Sequence, residues 1–252
     1  ALACGNVFAL AHSADLFAAA RGDAAAIGRV ADYYVHAPAA MAGMLSNHDL
    51  FAGERAWDQF DGDTARYKLA AATYLLQPGT PFILYGEEFG MGGAPLQGDW
   101  RVRAPMPWTG DPRTAGFTTG TPFRALSSNS ATQNVAAELA RPHGLLSWYR
   151  DLLRVRNAHA SLSIGDYASP RVDGLVMSYQ RRSGDETSVV VINYGTASAT
   201  LALAGLPPAV QFRQVFPADG SDSFVAVGGN ASAITLAPQS VRVYVGQRST
   251  RR

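Results

Sequence analysis

The sequence has little of what would mark a disulfide-bonded, membrane-spanning or nucleic-acid-binding protein. Cys4 is its only cysteine, so neither an intrachain disulfide nor a thiolate metal cluster can form. Its longest mainly apolar run, Leu69 to Leu76, has eight residues, whereas a membrane-spanning helix needs about 20. The 21 lysines and arginines are balanced by 20 acidic residues. This balance lacks the basic excess that nucleic-acid binding needs, so we expect no nucleic acid and no membrane among the partners.

The remaining composition is typical of a globular protein with one or two domains. Of the 252 residues, 47% are hydrophobic and 16% charged, which is enough for a sizeable core. The chain begins with neither an initiator Met nor a charged segment followed by an apolar one, so we interpret this start as a mature or truncated end. The compartment stays unknown, with secreted, periplasmic and cytoplasmic locations all open.

The first part of the chain shows the pattern of a parallel sheet with helices. Two continuous apolar runs have the length of strands buried on both faces, and helix-forming segments precede and separate them. The predicted elements are, in order, a helix capped by Asp23 and running to about Val35, a strand over Met41–Leu45, a helix over Thr64–Gln77 capped by Asp63, and a strand over Pro81–Tyr85. Strand, helix and strand in this order predict a βαβ crossover.

The second part of the chain changes character after Gly165. A long stretch from Phe89 to about Ser130 has little periodicity, and an amphipathic helix begins at Leu145. Six short β runs then follow at hairpin spacing: Leu175–Tyr179, Ser188–Asn193, Thr200–Leu203, Phe212–Phe216, Ala233–Leu236 and Val241–Val245. We therefore predict an α/β part over residues 1–165 and a smaller antiparallel β-sandwich domain over residues 166–252.

Polar groups stand where both predicted strands end. Asn47, His48 and Asp49 follow the first strand, and Glu87 and Glu88 follow the second. Side chains at the carboxyl ends of parallel strands converge on one face, where such folds place their chemistry. Position alone does not establish a role, because an Asp after a strand is commonly a loop or cap residue. His48 adds a group that can donate a hydrogen bond to a hydroxyl or a carboxylate.

Four groups of segments, in order, resemble the α-amylase family of retaining glycoside hydrolases. They are Met44–Asp49, similar to the motif at the seventh strand; Phe60–Asp63, Arg66 on the next helix and Pro78–Met91, similar to the stretch through strand eight; Arg103–Trp108, similar to a segment of the α-glucosidase and amylase branches; and the Leu145–Leu162 helix with Ile234–Val241, similar to the C-terminal end. The resemblance covers essentially the whole chain. It implies the C-terminal part of a (β/α)8 TIM barrel followed by an antiparallel β domain.

The resemblance also implies cleavage of α-glucosidic bonds, in α-glucans or malto-oligosaccharides, with retention of configuration. Asp49 falls at the position of the family's third carboxylate, the catalytic residue that binds sugar hydroxyls at the cleavage point and helps to distort the ring. His48 and Asn47 fall beside it as substrate-binding residues. Arg55, six positions after Asp49, is a further substrate-binding candidate, or it pairs with a nearby acidic side chain on the surface.

The two groups that would cleave the bond are absent from this sequence. In the family, the nucleophile follows strand four and the general acid strand five, both upstream of the motif, and only 46 residues precede Asn47. Arg21–Ala24 resembles the nucleophile motif, but the residues before it predict a helix, so we interpret Asp23 as a helix cap. No Glu occurs before Glu54. We therefore interpret the chain as the C-terminal part of a longer enzyme, with the missing N-terminal part as its partner, and expect no turnover from the chain alone.

Other residues receive structural or secondary interpretations. Glu87 and Glu88 match positions that mainly support strand eight in the family. Trp100 and Trp108 lie in the long loop after that strand, and we expect at least one of them near the cleft. The histidines other than His48 lack ligand spacing, so we expect no cofactor in this chain, whereas upstream segments could bind calcium.

Several hypotheses of function stay open. An α-amylase-type hydrolase is the leading one, with an α-glucosidase or a transglycosylating member, such as a trehalose-forming enzyme, as the alternative within the family. A non-catalytic carbohydrate-binding protein that kept the fold is the second. A structural α/β plus β module without sugar affinity is the third.

Overall fold

The computed structural model describes residues 7–38, 40–231 and 233–248, and Cys4 lies outside the described residues. The helices are α1 (Leu10–Ala20), α2 (Ala24–His36), α3 (Ala56–Gln59), α4 (Thr64–Leu76), α5 (Val135–Leu139), α6 (Leu145–Ala158) and α7 (Ala160–Ser163). The strands are β1 (Val7–Phe8), β2 (Met41–Ala42), β3 (Asp166–Asp173), β4 (Val176–Ser183), β5 (Glu186–Asn193), β6 (Ala199–Leu201), β7 (Gln211–Phe216), β8 (Ser223–Val225), β9 (Ile234–Leu236) and β10 (Ser240–Gln247). Short 3-10 helices lie at Leu50–Ala52, Glu87–Phe89 and Gly98–Val102.

A short parallel ladder lies near the start of the chain. β1 pairs with β2 in parallel, and an isolated parallel bridge between Gly43 and Pro81 continues the ladder. The Gly43 amide donates to the carbonyl of Thr80 at 3.1 Å, and the Phe82 amide donates to the carbonyl of Gly43 at 2.8 Å. Three extended segments therefore run side by side in chain order, with helices between them, as consecutive strands of a (β/α)8 barrel do.

The strands predicted over Met41–Leu45 and Pro81–Tyr85 are wrong in length. β2 holds two residues, and the second segment contributes only the bridge at Pro81. Phe82 and Tyr85 are 43% and 39% exposed. Among the described residues, this segment pairs with one neighbouring segment, β2 and its continuation, and that neighbour is too short to extend the ladder beyond the bridge at Pro81.

Helices α1, α2, α4 and α6 contribute side chains to one continuous apolar core. The two predicted caps are confirmed: Asp23 accepts from the amide of Ala26 at 3.0 Å, and Asp63 accepts from the amides of Ala65 and Arg66 at 3.1 Å. These carboxylates satisfy amides that have no partner inside their helices. As a result, α2 and α4 begin and end within one residue of the predicted positions.

The long helix predicted over Leu145–Leu162 is interrupted at His159. α6 ends at Ala158, His159 has an extended backbone with φ −121°, and the four-residue helix α7 follows. Glu186, on the neighbouring strand β5, accepts from the Ser161 amide at 2.8 Å and lies 3.1 Å from Nδ1 of His159. The sheet therefore supplies the cap that starts α7.

No helix in the described ranges is both long and apolar enough to cross a membrane.

The remaining strands form an antiparallel sandwich. Six of them make one sheet in the order β3-β4-β5-β10-β7-β8, and β6 pairs with β9 as a second sheet. Val191 and Phe212 from the large sheet and Leu236 from the small one share an apolar cluster, so the two sheets pack face to face. Each of the six predicted β runs overlaps one of the strands β4, β5, β6, β7, β9 and β10.

Strands β3 and β8 escaped the sequence analysis for different reasons. β3 carries mainly polar or exposed residues, and Ser169 within it has a positive φ of 51°, which interrupts the alternation of apolar and polar side chains. β8 has only three residues and no alternation to detect. The sheet packs its other face against the helices: Tyr179, Ile192 and Val243 belong to the same core as α1, α2, α4 and α6. The division at residue 165 therefore stays a prediction.

Candidate active site

The segment Asn47–Asp49 lies just beyond the carboxyl end of β2. The side-chain Oδ1 of Asn47 accepts from the amide of Asp49 at 2.7 Å, which closes a local turn after the buried residues Met44 to Ser46. The side chain of His48 is 67% exposed and that of Asp49 is 28% exposed. The turn therefore leaves both side chains accessible at the end of the parallel ladder, where the sequence analysis placed them.

Arg103 holds the Asp49 carboxylate in place. Its Nη2 donates to Asp49 Oδ1 at 2.5 Å and to Asp99 Oδ2 at 2.9 Å, and its Nε donates to the carbonyl of His48 at 2.6 Å. Asp99 in turn accepts from the Leu50 amide at 2.9 Å. One guanidinium thus fixes two carboxylates and the main chain before Asp49, and charge-assisted hydrogen bonds of this kind are the stronger class.

Arg103 is a residue of the candidate site that sequence reasoning does not identify. It opens the segment Arg103–Trp108, whose resemblance to the family implies no particular role for this arginine. The sequence offers one chemical signal: a carboxylate at a strand end can accept charge-assisted hydrogen bonds from an arginine. That signal could not identify Arg103 among neighbouring arginines, because the pairing joins residues 54 positions apart.

The second oxygen of Asp49 lies beside His48. Asp49 Oδ2 lies 3.5 Å from Nε2 of His48, whereas Oδ1 is taken by Arg103. An ionised carboxylate accepts hydrogen bonds at both oxygens, and an imidazole both donates and accepts. The pair therefore offers the acceptor and donor groups that recognise hydroxyl groups of a ligand.

An exposed aromatic side chain lies next to Arg103. Trp100 is 49% exposed, and the guanidinium of Arg103 lies 5.3 Å from its ring centroid. A second guanidinium, that of Arg124, stacks on the same ring at 3.6 Å. Trp108 is 48% exposed. Trp100 thus contacts the residue that holds Asp49, and the expectation of a tryptophan near a substrate cleft stays a prediction.

Arg55 does not occupy the position predicted for it. It is 1% exposed, and its guanidinium donates to the carbonyls of Val102 and Tyr85 at 2.7 to 3.1 Å. Glu54 instead pairs with Arg101, and Asp58 accepts from a main-chain amide. The prediction of a sugar contact is therefore corrected. A buried arginine that satisfies main-chain carbonyls holds two loops together, which sequence spacing from Asp49 could not reveal.

Glu87 is buried and Glu88 is half-buried in the turn that follows the Pro81 segment. Tyr74 and Tyr149 donate to Glu87 Oε1 at 2.6 and 2.8 Å, and Tyr67 donates to its main-chain carbonyl at 2.7 Å. Burial raises the pKa of Glu87 to about 7 and raises the pKa of Glu88 as well. Glu87 is 2% exposed. This placement fits a supporting role, because the carboxyl group cross-links two helices to the segment that follows Pro81.

Asp49 lines none of the five cavities of 200 to 580 Å³ that open on the described surface. It lies instead at the carboxyl end of the parallel ladder, which we call the rim. No group of three or more His, Cys, Asp or Glu side chains in the described ranges is arranged to hold a metal ion, and calcium binding by upstream segments stays a prediction.

Comparisons with known proteins agree with the resemblance seen in the sequence. The family model for the α-amylase catalytic domain matches residues 14–165. The chain is 35% identical over 173 residues to a trehalose synthase of Thermus thermophilus, covering 62% of this chain and 18% of that protein. It is 32% identical over 201 residues to the α-amylase SusG of Bacteroides thetaiotaomicron, covering 75% of this chain and 28% of that protein.

A solved structure shares the fold over nearly the whole chain. The α-amylase of H. orenii superposes with a TM-score of 0.77 at 21% sequence identity. The match covers 97% of this chain and 49% of that one. The chain therefore spans about half the length of the solved relative and less than a third of the two curated relatives.

Proposed function

Because this chain belongs to the α-amylase family, we propose that it is the C-terminal part of a glycoside hydrolase that cleaves α-glucosidic bonds with retention. Its substrates would be α-glucans or malto-oligosaccharides. The observation that carries this proposal is the placement of Asp49: an accessible carboxylate at the end of a parallel ladder, with one oxygen fixed by Arg103 and the other beside His48. The names of the related proteins, which include α-amylases, support the choice of substrate.

Asp49 would stabilise the transition state by binding hydroxyl groups of the sugar at the cleavage point. Positive charge develops on the sugar ring as the bond breaks, so hydrogen bonds to an anionic acceptor become stronger at that moment. Only interactions that strengthen in the transition state raise kcat. Arg103 would keep the carboxylate oriented before substrate arrives, and His48 and Asn47 would contact or support the same sugar.

The nucleophile and the general acid would come from the N-terminal part of the same enzyme. Retaining glycosidases hold these two carboxyl groups about 5 to 5.5 Å apart on either side of the bond. The outer segments of the ladder leave apolar side chains uncovered: Val7 and Phe8 in β1 and Phe82 after Pro81 are 57%, 45% and 43% exposed, and the rings of Phe8 and Phe82 meet edge to face at 4.9 Å between centroids. Further strands would cover these side chains.

The first test compares the chain alone with the longer enzyme. We expect no release of product from α-glucan or from p-nitrophenyl α-glucoside when the 252-residue chain is the only protein. In the longer enzyme, Asp49→Asn should lower kcat by about 100-fold, because a neutral amide loses the charge that strengthens binding in the transition state. Turnover by the chain alone that disappears with Asp49→Asn would contradict the proposed division of labour.

The upstream sequence separates an enzyme from a binding protein. Asp and Glu residues at the ends of strands four and five would support catalysis, and their absence would favour a non-catalytic carbohydrate-binding protein.

The matched control for Asp49→Asn is Asp151→Asn, since Asp151 is a surface residue of α6 that pairs with Arg154. This substitution should leave kcat unchanged.

Transfer of a glucosyl group to another sugar is a second candidate activity. The relatives include trehalose synthases of several bacteria, at 32 to 36% identity over about half or more of this chain. Product analysis of the longer enzyme with maltose decides between the candidates. Glucose alone indicates hydrolysis, whereas a new disaccharide indicates transfer.

A further inference from the structure

A loop over residues 118–126 has few attachments to the rest of the protein. It contains no helix or strand. Among the residues that the structure describes, its one hydrogen bond is internal, from the Gly120 amide to the hydroxyl of Thr118 at 3.2 Å. The chain is fixed again just after the loop, where the Ser128 amide donates to the carbonyl of Gly93 at 2.8 Å. Side-chain contacts, rather than main-chain hydrogen bonds, therefore hold the middle of the loop.

Arg124 makes the contact between this loop and Trp100. Its Cζ atom lies 3.6 Å from the centroid of the Trp100 ring and 5.0 Å from that of Phe123. A guanidinium at such distances is attracted by the electron-rich face of an aromatic ring. Arg124 makes no hydrogen bond or ion pair with another residue of the described ranges. Stacking on aromatic rings is therefore its means of attachment.

Trp100 connects Arg124 to the residue that holds Asp49. The Cζ atom of Arg103 lies 5.3 Å from the centroid of the same ring, so two guanidinium groups contact one indole. Because Trp100 is 49% exposed, core packing surrounds only part of it, and these two contacts contribute to fixing the ring. A ring released by Arg124 would be freer to turn away from Arg103.

The charges around Arg103 are unequal without Arg124. Nη2 of Arg103 donates to Asp49 at 2.5 Å and to Asp99 at 2.9 Å, so two carboxylates share one guanidinium and one negative charge is left over. Arg101, close by in the chain, is already paired with another carboxylate. Arg124 brings a positive charge to the same indole and balances the excess. Salt screens such partly buried charges less than it screens fully exposed ones.

We propose that Arg124 is a positioning residue for Asp49. It stacks on Trp100 and supplies the second positive charge of the group, so that the ring stays against Arg103 and Arg103 stays on Asp49. It acts through these two residues rather than by contact with the substrate. The part of Asp49 in the reaction rests on the proposed function, whereas the bracing of the segment around Asp49 rests on the contacts alone.

Steady-state kinetics of the longer enzyme with a malto-oligosaccharide test the effect on the reaction. We expect Arg124→Met to lower kcat about fivefold and to leave KM within about twofold, because a misoriented carboxylate loses contacts of the transition state. Arg124→Lys should keep most of kcat, since an ammonium group retains the charge over the ring. Unchanged kcat in Arg124→Met, or a change in KM alone, would overturn the proposal. The matched control, Arg113→Met, replaces an exposed arginine of the same long stretch and should leave kcat unchanged.

Combined substitutions test whether Arg124 acts through Arg103. If it does, adding Arg124→Met to Arg103→Lys should lower kcat by less than about twofold further, because the positioning is already impaired. Effects that multiply as if the two sites were independent would show that Arg124 acts elsewhere, and they would overturn the proposal.

Amide hydrogen exchange in the 252-residue chain tests the bracing without reference to activity. The Leu50 amide donates to Asp99, which Arg103 also holds. We expect the Leu50 amide to exchange about threefold faster in Arg124→Met than in the unmodified chain, and at the same rate in Arg113→Met. Equal rates in Arg124→Met and the unmodified chain would overturn the bracing. If this amide responds as expected but the longer enzyme cleaves no α-glucosidic bond, the bracing stands and the proposed function fails.

Discussion

The two parts of this chain differ in how many partners their strands find. β5 pairs along its whole length with β4 on one side and β10 on the other. Within residues 7–38, 40–231 and 233–248, the segment after Thr80 has one neighbour and makes a single bridge with it. Both are apolar runs of similar character, so the difference does not come from propensity. It teaches that a β run becomes a regular strand when a neighbouring segment runs alongside it over its length, as β4 does beside the edge strand β3.

The strongest test of this comparison asks whether the two parts unfold together. Arg181 on β4 is 1% exposed and donates to the carbonyls of Gly165 and Leu76, so it joins the sheet to α4. Arg181→Met should destabilise the chain by about 4 kcal/mol, because it leaves buried carbonyls without partners. All four tryptophans precede residue 166, so their fluorescence reports on the first part. We expect the urea midpoint of that fluorescence to fall.

The matched control for this substitution is Arg182→Met on the same strand. Arg182 is exposed and its partners, Gln180 and Gly205, lie within the sandwich. Its loss should cost about 1 kcal/mol or less. An Arg181→Met chain that loses sheet signal in circular dichroism while keeping its fluorescence midpoint would show two independently folding parts.

The buried carboxyl group of Glu87 predicts a pH dependence of stability. The pKa of Glu87 is raised to about 7 from its ordinary value of 4.5, chiefly by burial. The protonated Glu87 carboxyl therefore makes its full contribution to the free energy of unfolding below pH 4.5. This contribution, about 3 kcal/mol, is lost as the pH rises through 7. Other groups titrate in the same range, so the comparison is between the unmodified chain and Glu87→Gln. In urea unfolding, the free energy of unfolding should decrease less between pH 4.5 and pH 7.5 for the variant than for the unmodified chain. Equal decreases would contradict the prediction.

The hydrogen bonds that Arg103 donates to Asp49 and its surroundings predict a moderate effect of an Arg103 substitution on catalysis in the longer enzyme. Arg103→Lys keeps a positive charge but loses the planar fork that reaches Asp49, Asp99 and the carbonyl of His48 together. We expect kcat to fall by about tenfold, because a misoriented carboxylate loses transition-state contacts. Steady-state kinetics with a malto-oligosaccharide measures the effect. A change in KM alone would indicate that Arg103 does not position Asp49 for the reaction.

The smallest expected effect concerns a local feature of the first part. Asp63→Ala removes the cap of α4 and should cost about 1 kcal/mol in urea unfolding, whereas Asp63→Asn should cost little, because Asn caps helices about as well. A loss shared equally by both variants would show that the charge, and not the hydrogen bonds to the amides of Ala65 and Arg66, stabilises this helix.

Local signals in the sequence predicted local structure well. The caps at Asp23 and Asp63 follow from one side chain and the amides two or three residues later, which the sequence shows directly. The accessible position of Asp49 follows from a strand and a turn. Long-range pairings could not be read in the same way: Arg103 meets Asp49 across 54 positions, and Arg55 is buried against Val102 across 47. The ten residues around an arginine in the sequence do not show whether it holds a distant carboxylate or lies on the surface.

The position of β10 in the large sheet has a consequence for synthesis and truncation. β10, close to the end of the described chain, is an inner strand between β5 and β7. On a ribosome, the earlier strands would emerge as two separate groups, β3-β4-β5 and β7-β8, and the sheet could close only after residue 247 had left the exit tunnel. A nascent chain stopped before residue 240 would expose the open sides of β5 and β7, which are ready-made edges for pairing with other chains.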